Sequence, residues 1–447
     1  MVVSHRLSRR AMVGTACLVV VIALTLQGCG NSKNSSLFPL NDLIVDLFVP
    51  DSANNRVLIY NPPFIMGQGA NVVLGQSSFT TATTGASATT MSNPAAVGFD
   101  SSRNLYVAEN DNCRVLQFKP PFVTGMGATV ALGQPDLNTG ACSVGSAPPA
   151  TASNLNGPGG VAGDSQGNVW VADSGYSRVL QYTAPLSNGK AASVVLGQSD
   201  LTSGGVCPPL GGTTTAAALC NPTGIAFDST GNLWVADTNS NRVLRYTAPF
   251  SNNMDATLEL GQPSGTAFTS STANNGGISA STLSLPSAVA FDRSGALWVA
   301  DNGNNRVLKY SAPFANGMAA VLVLGQGDFT SNAANQGNAS PSATSLAAPQ
   351  GLQFDSNGAL FVGDSSNNRT LRFLSPFSNG MAAAVVLGQT DFTQNAANQG
   401  GSNPTASTQF KPYSAGPSLI ALAVFAALVV AWYFVRRKQR SKGVAAA

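Results

Sequence analysis

The chain has 447 residues, only 10% of them charged, with 46 glycines, 25 prolines and a formal net charge of +3 at pH 7. That charge misleads, because Arg6, Arg9 and Arg10 lie near the start and five basic residues lie after Val435; between Cys29 and Val435, 15 Lys and Arg face 20 Asp and Glu, which excludes the basic stripe that phosphate backbones require. The single histidine, His5, lies in the N-terminal segment, so the rest of the chain has no imidazole for general-base work, a Ser-His pair or zinc ligation.

The first element is an apolar run from Ala11 to Leu26 behind the three arginines, followed by Leu26-Gln-Gly-Cys29. This resembles a bacterial lipoprotein cleavage box, so residues 1–28 are read as a signal segment, Cys29 as the lipidated first residue and 29–36 as a short tether. An ordinary signal peptide or an uncleaved anchor is the alternative, and each of the three exports the chain. Ser8-Arg-Arg-Ala-Met12 also resembles a twin-arginine signal, but adjacent arginines are common before an apolar run and carry no separate weight.

Six similar cores follow, at 36–76, 94–134, 158–198, 222–262, 286–326 and 349–389. Five of them open on a proline (Pro94, Pro158, Pro222, Pro286, Pro349) that stands 40 positions before a Gly-Gln glutamine. The fourth core shows the plan. Gly224-Ile-Ala-Phe-Asp228 predicts strand a, Ser229-Thr-Gly-Asn232 a hairpin, Leu233-Trp-Val-Ala236 strand b, Val243-Leu-Arg-Tyr246 strand c and Ala256-Thr-Leu-Glu-Leu260 strand d. Four short strands in about 40 residues are the signature of a propeller blade, and consecutive apolar residues in strand b suit a strand covered on both faces by neighbouring blades. The first core is degenerate: its strand a is read at Leu37–Asn41, and its hairpin lacks glycine.

From the second core on, 22 or 23 residues rich in Ser, Thr, Ala, Asn and Gly separate one core from the next. Loops of this length are either functional or disordered. A flexible canopy and a binding face on one side of the ring both stay open. Pro412 stands where a seventh core would open, but the chain instead runs through 412–418 into 17 uncharged apolar residues, Leu419–Val435, and a basic tail, 436–447. That pattern reads as a membrane-spanning helix with its tail in the cytoplasm. A cleaved sorting signal has a similar outline, although no sorting motif precedes the run.

The recurring P-x-G-[IV]-A-F-D-x-x-G-N-L-W-V-A-D-x-x-N-x-R-V-L-x-Y resembles the NHL repeat, in five copies and part of a sixth. The resemblance implies an all-β, six-bladed propeller over 37–411 with four antiparallel strands per blade, in a bacterial, exported, monomeric protein. The sequence departs from the pattern at Pro50, Glu109 and Gly363. Some NHL propellers bind RNA and others, like related streptogramin lyases, use histidine; neither property carries over to a chain that is acidic and lacks histidine outside its leader.

Six acid–arginine pairs recur at a spacing of five: Asp51 and Arg56, Glu109 and Arg114, Asp173 and Arg178, Asp237 and Arg242, Asp301 and Arg306, Asp364 and Arg369. Chemistry rarely needs one pair six times, so each acid is expected to cap a turn and each arginine to reach across it to oxygen acceptors. Asp100, Asp164, Asp228, Asp292 and Asp355 read as hairpin residues, and Trp170, Trp234 and Trp298 as packing rather than a sugar platform. Cys113, Cys142, Cys207 and Cys220 allow three full pairings; Cys207 with Cys220 and Cys113 with Cys142 are favoured, with free thiols the alternative. No catalytic residue or cofactor emerges, and calcium is the cation that Asp and Asn oxygens would suit. The expected function is a membrane-tethered binding or scaffold module for a protein, glycan or cell-wall ligand. The alternative is a carboxylate- and cation-dependent hydrolase or lyase.

Overall fold

The computed structural model describes residues 46–140, 142, 149–205, 207 and 214–412. The leader, Cys29, the Leu37–Asn41 strand, the apolar run and the basic tail lie outside the described residues. Five four-stranded sheets and one three-stranded sheet make six blades, and in each of the five the sequence order is the spatial order, antiparallel throughout. The fourth blade runs Pro222–Phe227, Leu233–Asp237, Arg242–Tyr246 and Leu258–Leu260. Strand a therefore starts at the proline, two residues earlier than the pattern predicts. It is interrupted by a bulge between Pro222 and Ile225, which absorbs the missing proline N–H. The described part of the first blade has β1 (Leu47–Asp51), β2 (Arg56–Tyr60) and β3 (Val72–Leu74).

Apolar side chains on both faces of each sheet form the core between blades. One cluster joins Trp234, Val243 and Leu260 of the fourth blade to Phe291, Val299 and Tyr310 of the fifth. Another joins Leu47, Val49 and Leu58 of the first blade to Phe361 and Leu387 of the sixth, and so closes the ring. Near the axis the inner strands meet backbone to backbone. A Cβ added at Gly224 would lie 2.5 Å from the Cα of Ala288, and one at Gly160 would run into the Thr223 carbonyl, so glycine and alanine fill this position for want of space.

Strand d is the outer edge of each sheet and needs cover against stray pairing. The next blade's c–d loop provides it. Asn316 Oδ1 accepts the N–H of Glu259 at 2.9 Å while Gly317 N–H donates to the Glu259 carbonyl at 3.1 Å; Asn188 with Gly189, Asn252 with Asn253, and Asn379 with Gly380 do the same for Ala131, Val195 and Val323. The sequence pattern did not reveal this device, because a Ser-Asn-Gly turn looks like any other turn.

Candidate functional site

The b–c turns and the inter-blade linkers share one face of the ring, and the acid–arginine pairs bind them together. All twelve side chains are fully buried, with Nε to carboxylate distances of 2.5 to 2.8 Å. Asp301 and Arg306 show the plan. Asp301 Oδ2 accepts from Arg306 Nε at 2.7 Å and from Asn304 Nδ2 at 2.7 Å, and Oδ1 accepts the backbone N–H of Ser284 at 2.7 Å. Arg306 Nη2 donates to the carbonyls of Ser279 and Thr282 in the linker before its blade, and Nη1 to that of Phe329 in the linker after it. Asp301 stands at the N-cap position of its 3-10 turn but reaches the turn through the Asn304 side chain rather than through a backbone N–H, its other oxygen facing the preceding linker. Burial pushes these carboxyls up, Asp173 to about 6, against the opposing pull of the paired guanidinium. Every neighbour is an N–H donor, a set that a carboxylate satisfies and a carboxylic acid does not.

Three further rings of residues fasten the linkers. Asn55, Cys113, Ser177, Asn241, Asn305 and Asn368 close the b–c turns at φ between 50° and 55°, and their side chains accept the N–H of the residue that precedes the next inner strand. The six Gly-Gln glutamines donate back to carbonyls in the same turns, as Gln262 does to Asn241 at 3.0 Å. In the last three linkers Asn274, Asn335 and Asn398 pair through their amides with Asn304, Asn367 and Asn54. The flexible-canopy reading fails for the described linker residues, which are pinned at repeated points.

Blade four departs from this plan. Elsewhere the residue three places after the Gly-Gln glutamine gives its carbonyl to arginine Nη1, but here Phe268 lies six places after Gln262. Glu259 substitutes: its Oε1 lies 3.1 Å from Arg242 Nη1, and Oε2 accepts the Phe268 N–H at 2.5 Å. Glu259 is fully buried, and burial pushes its carboxyl up. The signal was in the sequence, since a glutamate stands where the other blades have valine or alanine.

The aspartates after strand a do more than shape hairpins. In blades three to five Asp164, Asp228 and Asp292 each take two backbone N–H groups on Oδ1 and the indole Nε1 of Trp170, Trp234 or Trp298 on Oδ2 at 3.0 Å. Those indoles are fully buried and present no stacking surface to a sugar. The structure joins Cys113 to Cys142 and Cys207 to Cys220, with Cα separations of 5.3 and 4.8 Å; the first ties a b–c turn to the linker that follows its blade, and the second closes a loop within one linker.

The exposed polar groups of this face are amides, hydroxyls and a few carboxylates, with Leu285 41% exposed beside them. Asp136, Asp200, Asp328 and Asp391 each accept hydrogen bonds from a Thr or Ser two or three residues on. The hydroxyl and N–H of Thr202, with Ser203, hold the Asp200 carboxyl down at about 2. A depressed folded-state value gives stability that is present above the ordinary carboxylate range and is lost as pH falls through about 2. A carbon-detected titration should therefore place the Asp200 midpoint near 2, with the linker around 200–203 loosening over the same interval; a midpoint near 4 would show that the turn does not persist in solution. Among the described residues, no three His, Cys, Asp or Glu lie together so as to hold a metal ion, and no helix is long and apolar enough to cross a membrane.

The NHL repeat family profile matches residues 219–246 and 283–310, the hearts of the fourth and fifth blades. No curated protein matches the chain by sequence. Among solved structures, virginiamycin B lyase from Staphylococcus aureus is similar at 14% identity over 63% of this chain and 67% of its own, with a TM-score of 0.35. A protein of unknown function from Bacteroides caccae is similar at 11% identity over 83% and 98%, with a TM-score of 0.44. Two blades thus match the NHL repeat, the other blades repeat their strand order and acid–arginine pair, and the fold is a six-bladed β-propeller containing NHL repeats.

Proposed function

We propose that the chain is an extracytoplasmic, membrane-tethered propeller that acts as a monomeric binding or scaffold module, taking a protein, glycan or cell-wall ligand on its linker face. The observation that carries this reading is the use made of the buried charges. All six arginine clamps are spent on fastening the linkers, which turns stretches that would otherwise be mobile into a fixed surface rich in neutral donors and acceptors. A preorganised polar surface of this kind recognises a ligand at little ordering cost. The lipobox at Cys29 and the apolar run 419–435 support a tether at each end. The alternative, a carboxylate enzyme using calcium or another hard cation, has no acid cluster among the described residues behind it.

A thermal-shift screen of the full chain in detergent, against peptidoglycan fragments, oligosaccharides and divalent cations, tests the reading. The expected result is a saturable rise with a wall or glycan ligand that chelator leaves unchanged. A rise with calcium or magnesium that chelator abolishes, together with turnover of a substrate, would replace it with the enzyme.

A further inference from the structure

Where two blades meet, three buried side chains lie together: the second residue of strand c in one blade, the last residue of strand c in the next, and between them the residue three places before the next opening proline. Between blades four and five these are Val243, Tyr310 and Leu283, and between blades two and three Val115, Tyr182 and Leu155. Three further interfaces hold valine with leucine or methionine and tyrosine or phenylalanine. Between blades six and one the set is polar: Thr370, Tyr60 and Gln409, all fully buried. Gln409 Oε1 accepts from the Thr370 hydroxyl at 3.0 Å, and Gln409 Nε2 donates to the Tyr60 hydroxyl at 3.0 Å. The site is equivalent to the others, since a Cβ added at Gly388 would run into the Gln409 side chain as one at Gly261 would into Leu283.

The other contacts that close the ring repeat those made within it. Phe410 N–H donates to Asp51 Oδ1 at 2.6 Å, as Ser284 does to Asp301. Lys411 N–H donates to Asn368 Oδ1 at 3.0 Å, as Leu285 does to Asn241. Arg56 donates to the carbonyls of Thr405 and Thr408, as Arg306 does to those of Ser279 and Thr282. These bonds hold the seam shut but do not distinguish it, because every linker offers the same main-chain groups.

We propose that Thr370, Gln409 and Tyr60 form a matched set that selects the correct partner when the ring closes. Five interfaces join blades that follow one another along the chain, so tethering alone brings the right surfaces together. The sixth must unite Gln409 with Tyr60, 349 residues away, in competition with five near-copies of the same surface. An apolar set would fit any of them. With the glutamine, docking of this linker between two other blades of a second chain buries an amide against valine, since Thr370 is the one threonine at its strand position among the six blades. Entry of a foreign linker at the seam puts leucine or methionine against the Thr370 hydroxyl, which then has no acceptor. The tyrosine hydroxyl by itself does not discriminate: those of Tyr182, Tyr246 and Tyr310 are buried and reach no partner among the described residues, whereas that of Tyr60 is engaged by Gln409. Fixing one pairing among similar alternatives is the best-attested use of a buried polar contact in an apolar interface.

The test is refolding of the full chain from urea in detergent, with its disulfides intact, read by native mass spectrometry. The unmodified chain is expected to return as one species. Thr370→Val with Gln409→Leu gives the seam the residues of the other interfaces; this double variant is expected to melt within about 2 °C of the unmodified chain, since both partners are replaced together, yet to return as a mixture containing larger assemblies. A double variant that returns as one species, or an unmodified chain that returns as the same mixture, overturns the proposal. Where a variant aggregates on refolding, melting temperatures decide. Gln409→Leu alone strands the Thr370 hydroxyl and should lower the melting temperature by roughly 2–4 °C, and adding Thr370→Val should restore it. Val243→Thr with Leu283→Gln, built beside the unpartnered hydroxyl of Tyr310, should likewise lower it by less than the sum of the two single changes. Additive losses at both interfaces would mean that the three residues are not a matched set and would overturn the proposal as well.

Discussion

Replacing Arg306 by alanine is expected to destabilise the propeller by roughly 3–5 kcal/mol, the cost of leaving one partner of a buried pair alone. Asp301 would keep the N–H of Ser284 and the amide of Asn304 but lose its only counter-charge in a site with no solvent access. The carbonyls of Ser279, Thr282 and Phe329 would lose their donor together, so both linkers that flank the blade should loosen. Arg306→Lys should recover little, because one ammonium on a flexible stem cannot reach a carboxylate and three carbonyls in the geometry of a planar guanidinium. Urea unfolding gives the free energy, and amide hydrogen exchange at 279–282 and 327–330 reports the linkers. Unchanged exchange there, at any loss of global stability, would mean that the arginine serves the pair alone and does not fasten the linkers.

The blade was legible in the sequence because it is written five times: the proline-to-glutamine spacing and the apolar strand b recur at one register, and four of the five hairpins carry a Gly such as Gly231 at φ 84°, where the second blade has Arg103 at 65°. The acid–arginine spacing was equally plain, yet its reach was not. The carbonyls that Arg306 binds lie 23 to 27 residues away in segments of low complexity, and a main-chain acceptor leaves no trace in residue identity. For the same reason the linkers looked like a mobile canopy, although Asn274, Asn335 and Asn398, at φ between 50° and 52°, were visible as Ala-Asn-[Asn/Gln]-Gly and meet the asparagines of the b–c turns. The ring closure was hidden differently: Pro412 follows the repeat spacing, but the partner that makes it part of blade one, Asp51, stands at the other end of the chain.

Substitution of Trp298 by alanine is the second large effect, about 3–5 kcal/mol, the range for removing a large buried aromatic. The indole is fully buried and meets Phe354 and Phe377 edge-on at centroid distances of 5.7 and 4.8 Å. Both phenylalanines belong to the sixth blade, so the ring joins two blades as well as filling one. Its Nε1–H also donates to Asp292 Oδ2 at 3.0 Å, and that oxygen would retain Lys309 at 3.0 Å. Trp298→Phe separates the two roles: it keeps most of the packing and deletes the hydrogen bond, which is worth about 1.5–3 kcal/mol when the acceptor is charged. The ratio between the two variants is the decisive quantity. If Trp298→Phe costs as much as Trp298→Ala in urea unfolding, the indole N–H and the hairpin aspartate, rather than contact between blades, hold this part of the ring, and the equivalent sites at Trp170 and Trp234 should then behave alike.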